Sequence, residues 1–386
     1  MYLLCPHSFS LHIDIFLWVC YALLKGFMDI DNVYISIRSL LTILQYTKGG
    51  YILVTVKDVA KAAGVSIATV SRVVRDEANV KKDTKDLVLK VIRELNYQPN
   101  ALARQMRQQS TKTVIVIVPD IGNSFFHEIL FGIQDTATKY GYQILIANMN
   151  NRPDVETYYF NALLQKQVDG VISLSANIAK SLMDKVANAY PIVVACQYLD
   201  NSDMPNVTID NISAAKKIVE YLIEQGHTHI AHLTSHPTAL LYRDRFNGYI
   251  SALAEHGLPI DLELVCYDEP SIEGGYRQMN NLLELGKPIS AVFAAGDTMA
   301  IGALKALKNA GLKVPDDFSV VGFDDIEFSS IFEPALTTIR QPKFLIGQTA
   351  FEKLFKLMNG APLDSLKDIL DYELVIRESS GVNRHK

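Results

Sequence analysis

Cysteine is scarce: four residues in 386, at Cys5, Cys20, Cys196 and Cys266, are too few and too scattered for a disulfide framework or a structural zinc site. A reducing, cytoplasmic compartment is therefore expected. Long apolar runs are also missing where a membrane anchor would need one. The uncharged run from Ile15 to Leu24 spans ten residues, against about 20 for a bilayer crossing. A secretory signal would place basic residues before that run, yet Lys25 follows it. No membrane partner is expected. Enzyme signatures are lacking as well: there is no Walker A sequence, no G-x-G-x-x-G fingerprint and no G-x-S-x-G elbow. His227, His229 and His232 fall at a helix end and strand start, where loop or core histidines are commoner than metal ligands, and Cys196 and Cys266 read as buried thiols. Asp325 and Glu333 have no evident catalytic neighbour. The chain is read as a non-enzyme without metal or cofactor.

What is present is ordinary in bulk and uneven in distribution. The length predicts two or three domains, and 49% apolar with 20% charged residues excludes disorder, a collagen and a membrane bundle. Residues 54–112 hold 12 Lys+Arg against 6 Asp+Glu, whereas residues 113–386 hold 22 against 33. A basic module precedes an acidic body. Residues 1–53 are expected to be an extension that is not translated in the cell: Lys48-Gly49-Gly50 can be encoded as a ribosome-binding site, and Val54 as a GTG start shortly after it.

In the basic module, Val56, Val59, Ala60 and Ala63 recur at helical spacing, Gly64 ends the helix, and Ser66 is a good N-cap for a second one. The second helix should bury Val70, Val73 and Val74 and turn Ile67, Ala68, Ser71, Arg72 and Arg75 outward. Two short helices across a glycine turn predict a helix-turn-helix. A third helix over Thr84–Leu95 should close the core with Leu87, Val88, Val91, Ile92 and Leu95. Arginines and small residues near the start of the second helix suit the major groove, where Arg bonds O6 and N7 of guanine.

Val56-Lys57-Asp58-Val59-Ala60-Lys61-Ala62-Ala63-Gly64-Val65-Ser66-Ile67-Ala68-Thr69-Val70-Ser71-Arg72-Val73 resembles the headpiece of the lactose/galactose-repressor (LacI/GalR) family of bacterial transcription regulators, as does Leu95-Asn96-Tyr97-Gln98-Pro99-Asn100-Ala101-Leu102-Ala103-Arg104. The resemblance extends to about Arg377. It implies a DNA-binding set of Thr55, Ser66, Ile67, Ala68, Thr69, Ser71, Arg72, Asn100, Ala103, Arg104 and Met106, with Ile67, Ala68 and Arg72 at base-reading positions. Met106 stands where the family usually has a leucine wedge for the minor groove, on a hinge segment too short to be helical alone.

From Thr113 onward, β-branched runs at Val114–Val118, Tyr142–Ala147, Gly170–Leu174, Ile192–Ala195, Ile230–Thr234, Ala291–Ala295 and Ser319–Phe323 read as buried parallel strands and alternate with helical stretches. These stretches are Phe126–Tyr140, Ser213–Gln225, Arg245–His256, Gly275–Leu285, Met299–Ala310 and Leu345–Met358. The alternation predicts doubly wound α/β lobes, with ligands bound beyond the carboxyl ends of the strands. On composition alone, Phe126 is as readily core, Asp297 a helix N-cap and Arg245 an exposed helix start. Pro119–Phe126, Arg245–Tyr249 and Val321–Asp325 resemble the family's effector-cleft motifs, and Leu336–Pro342 its crossover between lobes.

The resemblance thus implies a periplasmic-binding-protein-like body of two lobes, about 113–210 with 342–368 and 211–341 with 369–386, after a DNA-binding domain (54–98) and a hinge (99–112). It implies an effector set of Phe125, Phe126, Gln197, Arg245 and Asp324, with Asp297 a scaffold residue. Purine-binding members carry arginine near Ala239, which argues against hypoxanthine or guanine. Ile115–Ile121 with Glu224–His227 is most similar to nucleoside-responsive members. The expected protein is a homodimeric regulator, most simply a repressor, of a pseudo-palindromic double-stranded operator, controlled by a sugar or nucleoside. The alternatives are a transporter's solute-binding protein, for which residues 54–107 would be superfluous, and a sugar-modifying enzyme using the cleft, for which the sequence shows no paired acid and base.

Overall fold

The computed structural model describes residues 54–74, 79–98, 110–150, 152–175, 190–237 and 239–384. The chain divides into two compact units, Met1–Arg104 and Gln105–Lys386.

In the first unit, helices α1 (Val56–Ala63), α2 (Ile67–Val74) and α3 (Lys82–Glu94) form a small bundle. The Thr55 backbone N–H donates to the Asp58 carboxylate at 2.9 Å, as a capping box does. That carboxyl lies below the ordinary carboxylate range, first through the Thr55 hydroxyl bonded to it. Gly64, at φ 64°, ends α1 in the left-handed conformation that glycine adopts without strain. Ser66 caps α2, its Oγ accepting from Thr69 N–H at 3.1 Å.

The bundle's core is Val59, Ala60 and Ala63 against Val70, Val73, Val88 and Val91, with Ile92 and Leu95 packed at its margin. Two residues expected in this core lie outside it: Val74 is 38% and Leu87 46% exposed. Val74 is the last residue of α2. Leu87 sits one residue, about 100° of helix, from Val88, and three short helices share one narrow interior.

In the second unit, β1 (Thr113–Val118), α4 (Phe125–Lys139), β2 (Gln143–Asn148), α5 (Pro153–Leu164), β3 (Gly170–Ser173), β4 (Ile192–Ala195) and β5 (Asn206–Ile209) build the first lobe. The chain then crosses into α6 (Asn211–Glu224), β6 (Ile230–Thr234), α7 (Leu240–Glu255), β7 (Val265–Tyr267), α8 (Ile272–Glu284), β8 (Ala291–Ala294), α9 (Asp297–Asn309) and β9 (Ser319–Val321). It returns through β10 (Thr338–Arg340), α10 (Lys343–Met358), β11 (Lys367–Leu370) and β12 (Glu373–Val375). The first sheet has the order β11-β5-β4-β3-β1-β2 and the second β7-β6-β8-β9. Both are parallel, and β10 pairs antiparallel with β12. This is the doubly wound pair of lobes expected from the alternation of strands and helices.

Helix pairs cover the sheets at close range. A Cβ on Gly347 of α10 would lie 2.1 Å from the Ile129 carbonyl of α4, and one on Gly248 of α7 would lie 2.4 Å from the Ile212 carbonyl of α6. Glycine is thus required by contact between helix backbones at these two points. The elements missing from the sequence reading are α5 and the strands β5, β7, β10, β11 and β12, all strands of three or four residues. The expectation that Tyr142–Ala147 is a buried strand is corrected: β2 forms the sheet edge, and Leu145 and Ile146 are 54% and 45% exposed. α7 also begins five residues before its expected start, so Arg245 lies one turn inside the helix and is buried.

Candidate functional site

Helix α2 presents one outward face. Ile67 and Ala68, with Ser71 and Arg72 one turn on, share that face, while Val70 and Val73 point into the bundle. Ile67 is 45% exposed. Ala68 and Arg72 are exposed, Ser71 and Thr69 are half-buried. The Ser66 hydroxyl is used in the helix cap and lies 2.9 Å from Thr69 Oγ1, and Thr55 is engaged with Asp58. An exposed, cationic helix face of small residues on a rigid bundle is the geometry that major-groove reading requires. Asn100, Ala103, Arg104 and Met106, together with Arg75, lie outside the described residues.

In the second unit the segments following the carboxyl ends of β1, β3, β4, β6, β7, β8 and β9 converge on a cleft that is partly open to solvent. Phe125, Phe126, Gln197, Arg245 and Asp324, named separately along the chain, all line it. Phe125 and Phe126 meet edge to face with ring centroids 5.2 Å apart. Each also belongs to the core of the first lobe, so Phe126 is at once a core residue and part of the cleft wall.

Arg245 is held from four directions. Its Nε donates to Asn211 Oδ1 at 3.0 Å, Nη1 donates to the Ala295 carbonyl, and Nη2 donates to Asp324 Oδ1 at 3.0 Å. The guanidinium carbon stands 3.7 Å above the Phe323 ring. Asp324 Oδ1 also accepts from Gln341 Nε2 at 2.7 Å. Oδ2 has no hydrogen bond among the described residues, and it borders the space beside Gly296. Burial pushes the Asp324 carboxyl up, against the opposing pull of Arg245, Gln341 and Lys343. The backbone at Asp324 has φ 112° and at Asp325 φ 48°, two successive non-glycine residues in conformations that cost about 1–3 kcal/mol each and cluster at ligand sites. Asp325 anchors this turn through Arg340 at 2.6 Å and Arg377 at 2.7 Å.

Asp297 lies beneath the cleft and is 1% exposed. It is the first residue of α9 rather than its N-cap, which is Gly296. Its carboxylate accepts from Thr338 Oγ1 at 2.6 Å, Ser329 Oγ at 2.7 Å and Ile326 N–H at 2.9 Å. Burial pushes its pKa up to about 7, the neighbouring Asp324 charge adds to this, and those hydrogen bonds oppose it. The bonds tie α9 to the β9 and β10 connections, which is a scaffold role.

Gly296 was missed in the sequence. Its φ of −168° is extended backbone open to any residue, and a Cβ there would meet only Met299 Cε and Asp324 Oδ2, at 3.7 Å. Neither backbone nor packing demands glycine, so its effect is to leave cleft volume beside Asp324. Tyr242, Thr298 and Leu241 also line the cleft without having been singled out. The signal for Tyr242 and Leu241 was only their place one turn before Arg245.

His227 and His232 are buried and bonded within the fold, whereas His229 is exposed. His227 bonds Ser290 Oγ at 2.9 Å and Ser319 Oγ at 3.0 Å. His232 stacks between Tyr249 and Phe293 and is pushed down to about 4 by burial. Cys196 is buried at the cleft and Cys266 half-buried. Among the described residues no cluster could hold a metal ion, and no helix is long and apolar enough to cross a membrane.

Residues 55–100 match the family described as bacterial regulatory proteins, lacI family, and residues 111–368 match periplasmic binding proteins and sugar binding domain of LacI family. The chain is 39% identical over 328 residues to the HTH-type transcriptional regulator RegA of Clostridium saccharobutylicum, covering 84% of this chain and 99% of that protein. It is 37% identical to the HTH-type transcriptional repressor CytR of Escherichia coli strain K12, covering 84% and 96%. Among solved structures, a lac repressor dimer bound to operator and the anti-inducer ONPF superimposes with a TM-score of 0.76 at 29% identity, covering 85% of this chain and 99% of that one. A LacI family regulator from Enterococcus faecium with bound ribose gives 0.65 at 27%, covering 70% and 100%.

Proposed function

Since the chain belongs to the LacI family of bacterial regulatory proteins, we propose that it is a sequence-specific regulator, acting as a repressor, whose operator affinity is set by a small molecule in the cleft. One observation carries this reading: a single chain joins an exposed helix-turn-helix face at Arg72 to a cleft gathering Phe125, Phe126, Gln197, Arg245 and Asp324. A transporter's solute-binding protein would use the cleft and have no employment for α1–α3. On this reading the protein works by binding, in the cytoplasm, without a cofactor.

Arg72 is assigned the hydrogen-bonded base, with Ile67 and Ala68 supplying apolar contacts to thymine methyl groups. Residues 54–98 carry DNA recognition, 99–112 the hinge with Asn100, Ala103, Arg104 and Met106, and the remainder the effector response. In the cleft, Arg245 and Asp324 are the charged lining residues and neutralise each other. A site without net charge, walled by aromatic faces, suits a neutral polyhydroxylated ligand, a sugar or nucleoside. Its hydroxyls would donate to Asp324 Oδ2, its ring would lie against Phe125 and Phe126, and Gln197 would supply a further polar contact.

The body acts as a homodimer: Phe131 on α4 and Leu145 on the adjoining edge strand β2 are 63% and 54% exposed, the apolar surface that an isologous interface covers. Two headpieces then read a pseudo-palindromic operator. Selection from random duplex DNA by the purified protein tests this. An enriched two-fold-symmetric sequence is expected, and a folded dimer that enriches none would defeat the reading.

A further inference from the structure

At the rim of the cleft four side chains from the two lobes interlock. Tyr198 and Asp200 follow β4 in the first lobe; Arg243 and Asp244 stand on the first turn of α7 in the second. Arg243 donates to both Asp200 oxygens, from Nη1 at 2.6 Å and from Nη2 at 3.0 Å. The same Nη2 reaches the Tyr198 hydroxyl at 3.3 Å, and that hydroxyl donates to Asp244 Oδ2 at 2.8 Å. Asp244 is only 4% exposed, whereas the Asp200 and Arg243 side chains are 46% and 37% exposed. The cluster therefore runs from surface to interior.

Each half adjoins a cleft wall. Gln197 immediately precedes Tyr198, and Arg245 immediately follows Asp244. Any hinge motion that parts Gln197 from Arg245 must also break these bonds. We propose that Tyr198, Asp200, Arg243 and Asp244 form an inter-lobe latch that holds the cleft shut and governs how fast its ligand leaves. The latch touches no part of the ligand position assigned above and acts on the closed population: the apparent affinity of a ligand that binds the closed form falls in proportion as the closed fraction falls. Bidentate pairing of Arg243 with Asp200 fixes the geometry of closure as well as its strength, and its exposed end makes the latch weaken as salt rises.

This inference rests on the effector reading for its ligand arm, and the test separates the two. Full-length wild type, Asp200→Asn and the double variant Tyr198→Phe/Asp200→Asn are compared by hydrogen exchange without ligand, and by stopped-flow dissociation of whichever of the four ribonucleosides, ribose or cellobiose stabilises the wild type most. Asp200→Asn is exposed and isosteric, so it keeps the fold. Removing the exposed pair should speed ligand release about threefold, and removing both contacts about tenfold. Amides of residues 195–200 and 296–299 should exchange faster in the ligand-free variants. Unchanged exchange in folded variants would overturn the latch whether or not a compound binds. Faster exchange with no compound bound to the wild type would uphold the latch and count against the effector reading. Unchanged release of a bound compound would also overturn the latch.

Discussion

Replacing Asp324 by Asn separates effector binding from folding and from DNA recognition. Asn is chosen over Ala for a backbone reason: φ is 112° at this position, a region in which Asn is several-fold enriched over other non-glycine residues. Asn also keeps an oxygen that can accept from Arg245 and Gln341, now at 3.0 and 2.7 Å. What it loses is the charge opposite a guanidinium whose side chain is 6% exposed, and the Oδ2 beside Gly296, which accepts no hydrogen bond among the described residues. A hydrogen bond from a ligand hydroxyl to a charged acceptor contributes about 1.5–3 kcal/mol, so effector affinity should fall roughly 10- to 150-fold. Outright loss of one partner of a buried pair costs about 3–5 kcal/mol of stability. With the acceptor retained and Arg245 still bonded to Asn211 and Ala295, the loss should be smaller than that. The assay is calorimetric titration with the best-stabilising nucleoside or sugar, beside circular dichroism and operator binding. Wild-type ligand affinity in the folded variant would refute the assignment of Asp324, and so would operator binding lost in step with ligand binding.

Four further outcomes are expected. Arg72→Ala should weaken binding to the selected operator by about 1–3 kcal/mol and relax preference at one base position, read by gel shift against operators varied base by base. Gly296→Val should block the cleft beside Asp324 while leaving the denaturation midpoint almost unchanged, since its backbone suits any residue; undiminished effector binding would show the space to be unused. Gly248→Ala should destabilise the body by about 1–3 kcal/mol, because its Cβ would fall 2.4 Å from the Ile212 carbonyl, and a chemical denaturation midpoint equal to wild type would contradict that packing. Asp297 has its folded pKa raised to about 7 from an ordinary 3.8, so between those values the folded state binds more protons than the unfolded one and its contribution to stability falls as pH rises. The melting temperature should therefore decline across pH 4–7 more steeply in the wild type than in Asp297→Asn, and parallel profiles would show that Asp297 does not titrate there.

The parts of the molecule legible in the sequence were those written in periodic apolar residues or in local turn chemistry. Gly64 and Ser66 fixed the turn of the headpiece because a left-handed cap and an N-cap are one-residue decisions. Val59, Val70 and Val88 announced its core by spacing. Val74 and Leu87 were misassigned because periodicity gives the face of a helix and not how far a neighbour extends along it. The short strands β5, β7, β10, β11 and β12 have too few residues for a period to emerge. In the cleft, Arg245 and Asp324 stood out as charges beside aromatics, and motif resemblance outweighed their bland readings. Gly296 did not stand out, because its significance is an absence of side chain that only the surrounding walls define. The Tyr198, Asp200, Arg243 and Asp244 cluster was illegible for a related reason: its halves are more than 40 residues apart in the chain and are brought together only by the fold.

Operator affinity of the full-length protein, titrated with a cleft-binding nucleoside or sugar in the wild type and in Asp324→Asn, tests the account most directly. Coupling between two sites typically amounts to about 1–3 kcal/mol, so the wild-type operator Kd should shift by roughly 5- to 150-fold and level off as the cleft saturates. The variant should need roughly 10- to 150-fold more ligand to reach the same shift. An operator Kd that stays constant while calorimetry shows the wild-type cleft filled would contradict the account.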